Sequence, residues 1–319
     1  MAATLITGAT GFIGSHLAES LCARGEELVG WSRRSSWPEE LTFLNESVAL
    51  SPVDLADRES VRGAIADLAP ERIYHLAGQA HVAKGEVQPE LTWKSNVDTT
   101  RHLLEAAAEL PQPPRVLLIG SGYVYGAPES GRITDASALH PRGAYAISKA
   151  ASDLLALHYF QTHGLPTMVV RLFNNIGPRQ QPSFAIASFA QQIARIEAGL
   201  EEPVLFTGSL SALRDFTDVR DSARAVAAMM ASGEPGDVGI VAQGRSRPVS
   251  ALLEGLLSLS TATIEVRQDP SRVRSHEEPH LAIEPELVAR RTGWMPTIPL
   301  EQSLRDTLDY WRARVAATG

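Results

Sequence analysis

Cysteine is almost missing from this chain. Cys22 is the only one in 319 residues, which rules out an internal disulfide and a thiolate cluster and fits a reducing compartment. Long apolar runs are missing too. No uninterrupted stretch approaches the roughly 20 residues that a membrane-spanning helix needs. The opening Met1-Ala2-Ala3-Thr4-Leu5-Ile6-Thr7-Gly8 has no basic flank, and its apolar run is too short for a signal-peptide core. A cytoplasmic protein with no membrane attachment is therefore expected. Positive charge is in short supply as well: 29 Lys and Arg stand against 37 Asp and Glu, a formal net charge of −8, so a nucleic-acid backbone finds little long-range attraction. His and Asp residues are scattered without metal-ligand spacing, and no metal is expected. There is no internal repeat and no low-complexity linker.

What is present is 44% hydrophobic residues, enough to fill one large domain or two closely joined lobes. Short β-branched runs at 3–7, 27–31, 47–51, 72–77, 115–120 and 167–173 alternate with segments apolar at helical spacing, at 13–24, 58–68, 89–110 and 144–163. Asp57 stands where the second helix needs an N-cap. Strands joined by crossover helices build a parallel sheet, so the expected class is α/β, a Rossmann-like doubly wound parallel sheet. After Asn174 the rhythm changes, with prolines at 178, 182 and 203, helical runs at 184–199 and 300–315, and a polar, arginine-bearing segment at 268–280. This predicts a first unit over 1–173 and a smaller C-terminal substrate-binding lobe over 174–319, with parts of 204–245 returning to the first.

Gly8-Ala9-Thr10-Gly11-Phe12-Ile13-Gly14 follows the first strand and opens the first helix. Gly8 suits the tight turn, Gly11 lets backbone amides approach a pyrophosphate, and Gly14 lets the helix lie close to the sheet. Phe12 and Ile13 complete the helix N-terminus that meets the dinucleotide. An acidic residue about 20 positions beyond the glycines would accept from a ribose 2′-hydroxyl, but this chain reads Trp31-Ser32-Arg33-Arg34-Ser35-Ser36. Arg33 and Arg34 can form charge-assisted bonds with a 2′-phosphate, so NADP(H) is preferred, with NAD(H) as the second option. The bland alternative is a solvated basic turn. Asp54 and Leu55 after the third strand are placed to reach the adenine. Leu76, Ala77 and Gly78, closing the fourth, let the cofactor pass near the backbone.

Tyr145-Ala146-Ile147-Ser148-Lys149 puts a phenol and an ammonium one helical turn apart. A phenol with a reference pKa near 10 is a poor base at neutral pH, but a neighbouring cation favours its ionised form and eases proton exchange with a carbinol or carbonyl oxygen. Taken alone, the pair reads more simply as a helix-surface contact, and it is the surrounding motifs that reverse this. His81, in the loop after the fourth strand, is placed to face a ligand in the crevice, as His140 is before Tyr145.

Gly8-x-x-Gly11-x-x-Gly14, Ser121 at a strand end and Tyr145-x-x-x-Lys149, in this order, resemble the extended short-chain dehydrogenase/reductase family of sugar-nucleotide enzymes over nearly the whole chain. The resemblance implies Tyr145 as proton donor or acceptor and Lys149 as the ligand of the nicotinamide ribose that lowers the tyrosine pKa. It implies Ser121 as the partner of the substrate oxygen and Asn96 as the family's helix asparagine. It also implies a homodimer in which the helices at about 89–110 and 144–163 pack as a four-helix bundle.

Leu172-Phe173-Asn174-Asn175-Ile176-Gly177-Pro178-Arg179-Gln180 and Leu213-Arg214-Asp215-Phe216-Thr217-Asp218-Val219-Arg220-Asp221 resemble the GDP-mannose dehydratase and GDP-4-keto-6-deoxymannose reductase group, the second motif especially the reductases. This implies that Asn174 and Arg214 contact a sugar-nucleotide diphosphate and puts Arg179 at the substrate. Arg272-Val273-Arg274-Ser275-His276-Glu277 resembles the family's Arg-Pro-x-Glu stretch near the nucleotide, with Ser275 replacing the proline, and carries over to Arg274 and Glu277. A 4,6-dehydratase of this group keeps a carboxylate just after the Ser121 position, whereas this chain reads Ser121-Gly122-Tyr123-Val124-Tyr125-Gly126. Elimination thereby lacks its acid–base group, while hydride transfer needs only Ser121, Tyr145 and Lys149. The expected activity is NADPH-dependent reduction of the C4 ketone of a nucleotide-linked 6-deoxy-4-ketohexose, GDP-linked and giving GDP-rhamnose. The alternatives are an NAD-dependent 4-epimerase of UDP-sugars and a non-catalytic dinucleotide sensor.

Overall fold

A computed structural model describes residues 3–273 and 281–318. Thr4–Thr7 (β1) is buried along its whole length and pairs in parallel with Leu28–Ser32 (β2) on one side. Val48–Pro52 (β3) follows beyond β2. On the other side β1 pairs with Arg72–His75 (β4), and then come Arg115–Ser121 (β5), Thr167–Leu172 and Val238–Val241. With Arg132–Thr134 as β6, the last two are β7 and β11, and Asn174–Ile176, Val204–Thr207 and Leu213–Asp218 are β8, β9 and β10. The main sheet therefore runs β3-β2-β1-β4-β5-β7-β11, all parallel. Central strands covered on both faces need continuous apolar sequence, which the Val116-Leu117-Leu118 run of β5 supplies. Successive strands are added outward in opposite directions from β1 and from β4, opening a crevice at the carboxyl ends of these two strands.

Crossover helices cover both faces. Phe12–Cys22 (α1) lies on one and Arg58–Leu68 (α2) on the other, where Asp57 caps α2 by accepting from the backbone N–H groups of Glu59 and Ser60 at 3.2 and 3.3 Å. The sequence pattern predicts one helix over 89–110. The structure instead has Pro89–Trp93 (α4), a π-helical turn at Lys94–Asp98 and Thr99–Ala108 (α5), preceded by a short Val82–Val87 (α3). The π turn has a tertiary cause: Asn96 Oδ1 accepts from Gln79 N at 2.7 Å and its Nδ2 donates to Ser148 Oγ at 2.9 Å. Helical periodicity cannot announce a bulge that is set by partners 17 and 52 residues away. Gly143–His163 (α6) runs on to Gly164, which ends it in the left-handed region.

Beyond β8, Ala185–Glu197 (α7), Val249–Ser258 (α9) and Leu300–Thr318 (α11) enclose a separate apolar cluster around Phe189, Ile193, Leu205, Leu252 and Leu308. Between them Val219–Ser232 (α8) crosses back, and its Val226, Met229 and Met230 join the cluster of Leu17 and Leu21 on α1. Asp215 fastens the chain where it leaves the main sheet, accepting from the N–H groups of Gln243 and Arg245 at 2.8 and 2.7 Å. Among the described residues no helix is long and apolar enough to cross a membrane, and no group of three or more His, Cys, Asp or Glu is placed to hold a metal ion.

Candidate active site

Gly8 sits at φ +72°, left-handed backbone that glycine adopts without penalty, and a Cβ there would come within 2.8 Å of Ala77 N. The β1 turn and the Leu76-Ala77-Gly78 segment after β4 thus close on each other. Gly14 presses α1 onto that turn, since a Cβ on it would stand 2.2 Å from the Gly8 carbonyl oxygen. Gly11 offers α1 no side-chain cap, and the first turn, with Phe12 and Ile13, has no acidic residue. Its amides are therefore suited to an anion. This is a cradle that suits a dinucleotide pyrophosphate, and its close-packed backbone leaves no room for a side chain at Gly8 or Gly14.

The other proposed cofactor residues surround the same strand ends. After β2, Thr10 and Ser32 hydroxyls hydrogen-bond at 3.1 Å, Ser32 Oγ accepts from Arg34 N at 3.0 Å, and the side chains of Arg33 and Arg34 are exposed. After β3, Asp54 closes a turn by accepting from Ala56 N at 3.0 Å, while Leu55 is buried in the core beneath. A Cβ on Gly78 would lie 2.7 Å from Asn96 Oδ1, so Asn96 fixes the loop after β4 and, through Ser148, ties it to α6.

Ser121 ends β5 and accepts from Tyr123 N at 3.3 Å. Its hydroxyl also hydrogen-bonds the Tyr145 phenol, which lowers that phenol's pKa, but burial dominates and carries Tyr145 up to about 12. Lys149, one turn further along α6, donates to the Ile119 carbonyl at 2.5 Å, and burial pushes its pKa down. The expected depression of the phenol pKa by Lys149 is thus not what this geometry shows: Ser121 supplies the lowering and burial outweighs it. At neutral pH Tyr145 is an acid carrying its proton.

Tyr123, two positions after Ser121, stands edge-on to Tyr145, ring centroids 5.9 Å apart and planes at 82°. With Gly122, Phe173, Asn174, Arg214 and Leu281 it lines one hollow. Asn174 Nδ2 donates to the Asp215 carbonyl at 3.0 Å, and Arg214 Nη1 to the Leu213 carbonyl at 2.8 Å. Both line this hollow, and the resemblance expects both to contact the diphosphate.

Arg179 is a correction. Its guanidinium donates to Glu19 Oε2 at 2.5 Å and approaches His16 Nδ1 at 2.6 Å, both on α1. It serves to pin the second half to α1 rather than to line the hollow, so the substrate contact expected of it does not fit. His81 caps no amide with its side chain. Its Nε2 bonds the Ser183 carbonyl at 3.2 Å and its ring lies 5.4 Å from that of Phe184, at the start of α7. Arg274 and Glu277 lie outside the described residues.

Two contacts have no counterpart in the sequence reading. A Cβ on Gly85 of α3 would approach Tyr145 Cβ to 2.9 Å, and Glu86 Oε1 accepts from Ala144 N at 3.0 Å, supplying the side-chain cap that Arg142 does not give α6. Only the glycine at 85 hinted at close approach.

A parallel sheet with this crevice, glycine turn and Ser121, Tyr145 and Lys149 set defines an NAD(P)-dependent enzyme of the extended short-chain dehydrogenase/reductase type. Residues 5–307 match the model of the GDP-mannose 4,6 dehydratase family, and the chain belongs to that family. It is 35% identical over 316 residues to GDP-6-deoxy-D-mannose reductase of Pseudomonas aeruginosa, spanning 97% of each chain. Its fold matches the structure of RMD from Pseudomonas aeruginosa complexed with NADPH at a TM-score of 0.80 and 34% identity, covering 98% of this chain and 100% of that one. UDP-glucose 4-epimerase of Thermotoga maritima, solved with UDP-glucose, matches at a TM-score of 0.88 and 26% identity, covering 98% and 99%. The expected cofactor, NADP(H) ahead of NAD(H), agrees with the NADPH held by the first of these structures.

Proposed function

We propose that this protein reduces the C4 ketone of a nucleotide-linked 6-deoxy-4-ketohexose, GDP-linked, to give GDP-rhamnose. The observation that carries the reading is the Tyr123 ring, rather than a carboxylate, packed beside a protonated Tyr145. That arrangement can deliver a proton to oxygen and lacks the base for elimination. When bound, NADPH supplies the hydride to C4. Tyr145 gives its proton to the ketone oxygen, Ser121 hydrogen-bonds the same oxygen, and Lys149 binds the nicotinamide ribose. Asn174 and Arg214 suit the diphosphate, attached at C1 on the opposite side of the hexose ring from the reacting C4. The 35% identity to a GDP-6-deoxy-D-mannose reductase supports the same substrate.

Mixing the protein with GDP-4-keto-6-deoxymannose should consume NADPH at least 10-fold faster than NADH, with arginine-to-phosphate pairing as the source. Arg33→Ala/Arg34→Ala should remove most of that preference by raising KM for NADPH. The likeness to UDP-glucose 4-epimerase favours the second reading at the level of fold. Purified protein carrying tightly bound NAD and interconverting UDP-sugars without added NADPH would establish the epimerase and exclude the reductase.

The exposed Leu91 and Trp93 on α4 and Ile147 and Leu154 on α6 support a homodimer through a four-helix bundle, because apolar side chains gathered on adjoining helices mark association surfaces. Light scattering should give twice the chain mass, and Ile147→Glu/Leu154→Glu should halve it. A wild-type monomer at micromolar concentration excludes this assembly.

A further inference from the structure

Asp153 is a buried carboxylate that the chemistry above leaves unused. It lies one helical turn after Lys149 on α6 and is 4% exposed. Its Oδ2 accepts from Arg171 Nε on β7 at 2.8 Å. Arg171 Nη1 in turn donates to the Tyr125 hydroxyl at 2.8 Å, with the guanidinium 5.0 Å from the centre of that ring. Oδ1, however, is buried and among the described residues has no hydrogen-bond partner. It faces Gly120, where an added Cβ would stand 3.0 Å from it and 2.9 Å from Arg171 Cγ. Gly120 follows Ile119, the residue whose carbonyl receives the Lys149 ammonium. A cation and an unsatisfied anionic oxygen are thus gathered along the same two residues of β5.

Leaving a buried carboxylate oxygen without a donor is costly, and a native fold that does so has a reason. A single neutral hydrogen bond would satisfy Oδ1, yet none of the described residues offers one. What the free oxygen does provide is a field that buried Lys149 feels and solvent cannot screen. We propose that Asp153, fixed in place by Arg171, is a positioning residue that holds Lys149 in its charged form within the desolvated catalytic site. The inference rests on Lys149 as the cofactor-ribose ligand and not on the identity of the sugar.

The charges around the lysine agree. Burial pushes Lys149 down and Asp153 pulls it back up. His75 on β4 also feels the lysine, but burial holds its pKa at about 3, so it is neutral. Tyr145 on the same helix is neutral as well. Arg171 and Tyr125 engage the carboxylate from the other side, the first as a cation and the second with its pKa raised by burial. Burial pushes the Asp153 carboxyl up, while the charge and hydrogen bond of Arg171 and the charge of Lys149 pull it back down; held between these two cations, Asp153 is the anion of the group.

Asp153→Asn keeps an oxygen for Arg171 and removes the charge. Its expected effect is on the pH profile. Without the anion Lys149 loses its proton at lower pH, so the alkaline limb of NADPH binding, followed by cofactor fluorescence, should move down by about one pH unit or more. At pH 6 binding should stay within about threefold of wild type, which a general packing defect would not spare. In the background of Asp153→Asn, Lys149→Arg should restore the alkaline limb, because a guanidinium keeps its proton throughout. An unmoved limb in well-folded Asp153→Asn overturns the proposal. Should that variant not fold, Asp153→Ser takes its place: the same downward move of the limb is expected, and an unmoved limb overturns the proposal. Because the readout is NADPH binding, a failure here is distinct from finding a different sugar substrate.

Discussion

Tyr145→Phe is expected to lower kcat for ketone reduction about 10³-fold while leaving the Kd for NADPH within about threefold, within the range of general-acid contributions. The phenol is the group that bonds Ser121, and burial holds its pKa at about 12. At pH 7 it is therefore fully protonated and ready to donate, and phenylalanine keeps the ring packed against Tyr123 and Gly85 while removing only the proton. The pH dependence follows in sign: a group with this pKa loses its proton only above about pH 11, so the wild-type reduction rate should not fall on the acid side through this residue. Single-turnover mixing with substrate and NADPH measures the loss. A Tyr145→Phe enzyme reducing substrate within tenfold of wild type would show that another group delivers the proton.

Gly14→Ala should raise the Kd for NADPH about 100-fold and destabilise the chain by about 1–3 kcal/mol, the usual cost of overpacking. The new methyl would meet the Gly8 carbonyl oxygen at 2.2 Å and its carbon at 3.0 Å. Both are backbone atoms of the turn proposed to hold the pyrophosphate, so relief requires α1 to lift off and its amides to leave their aim. Gly63→Ala is the matched control. Nothing lies within 4 Å of a Cβ there, and in the middle of α2 an alanine should stabilise by up to about 1 kcal/mol. Fluorescence titration and urea unfolding read both quantities. Full affinity with unchanged stability in Gly14→Ala would mean that the turn does not hold the cofactor.

Features fixed by local spacing were legible in the sequence. The glycine turn, the 58–68 helix with its Asp57 cap, and the Tyr145 and Lys149 face of α6 depend on residues within a turn or two of one another. Features set by distant partners were not. The π turn at Lys94–Asp98 follows from Asn96 reaching Gln79 and Ser148, and no periodicity in 89–110 reveals it. The motif resemblance puts Arg179 at the substrate, yet Glu19, 160 positions earlier, takes its guanidinium. The Lys149 to Asp153 spacing was visible as i to i+4, but its meaning needs Arg171 and Tyr125 from two other elements. Short α3 carries too few residues for a pattern, although it supplies the cap of the catalytic helix.

The return of α8 to α1 bears on how this architecture can be recombined. Residues 219–241 belong in sequence to the second half, but in space they form one flank of the cofactor layer and its outermost strand. A chimera joined at residue 173 would import a foreign helix against α1 and a foreign edge beside β7, with both packing surfaces mismatched. Grafting a new sugar specificity therefore calls for two separate exchanges, one on each side of residues 219–241, with that stretch kept from the parent that supplies the glycine turn.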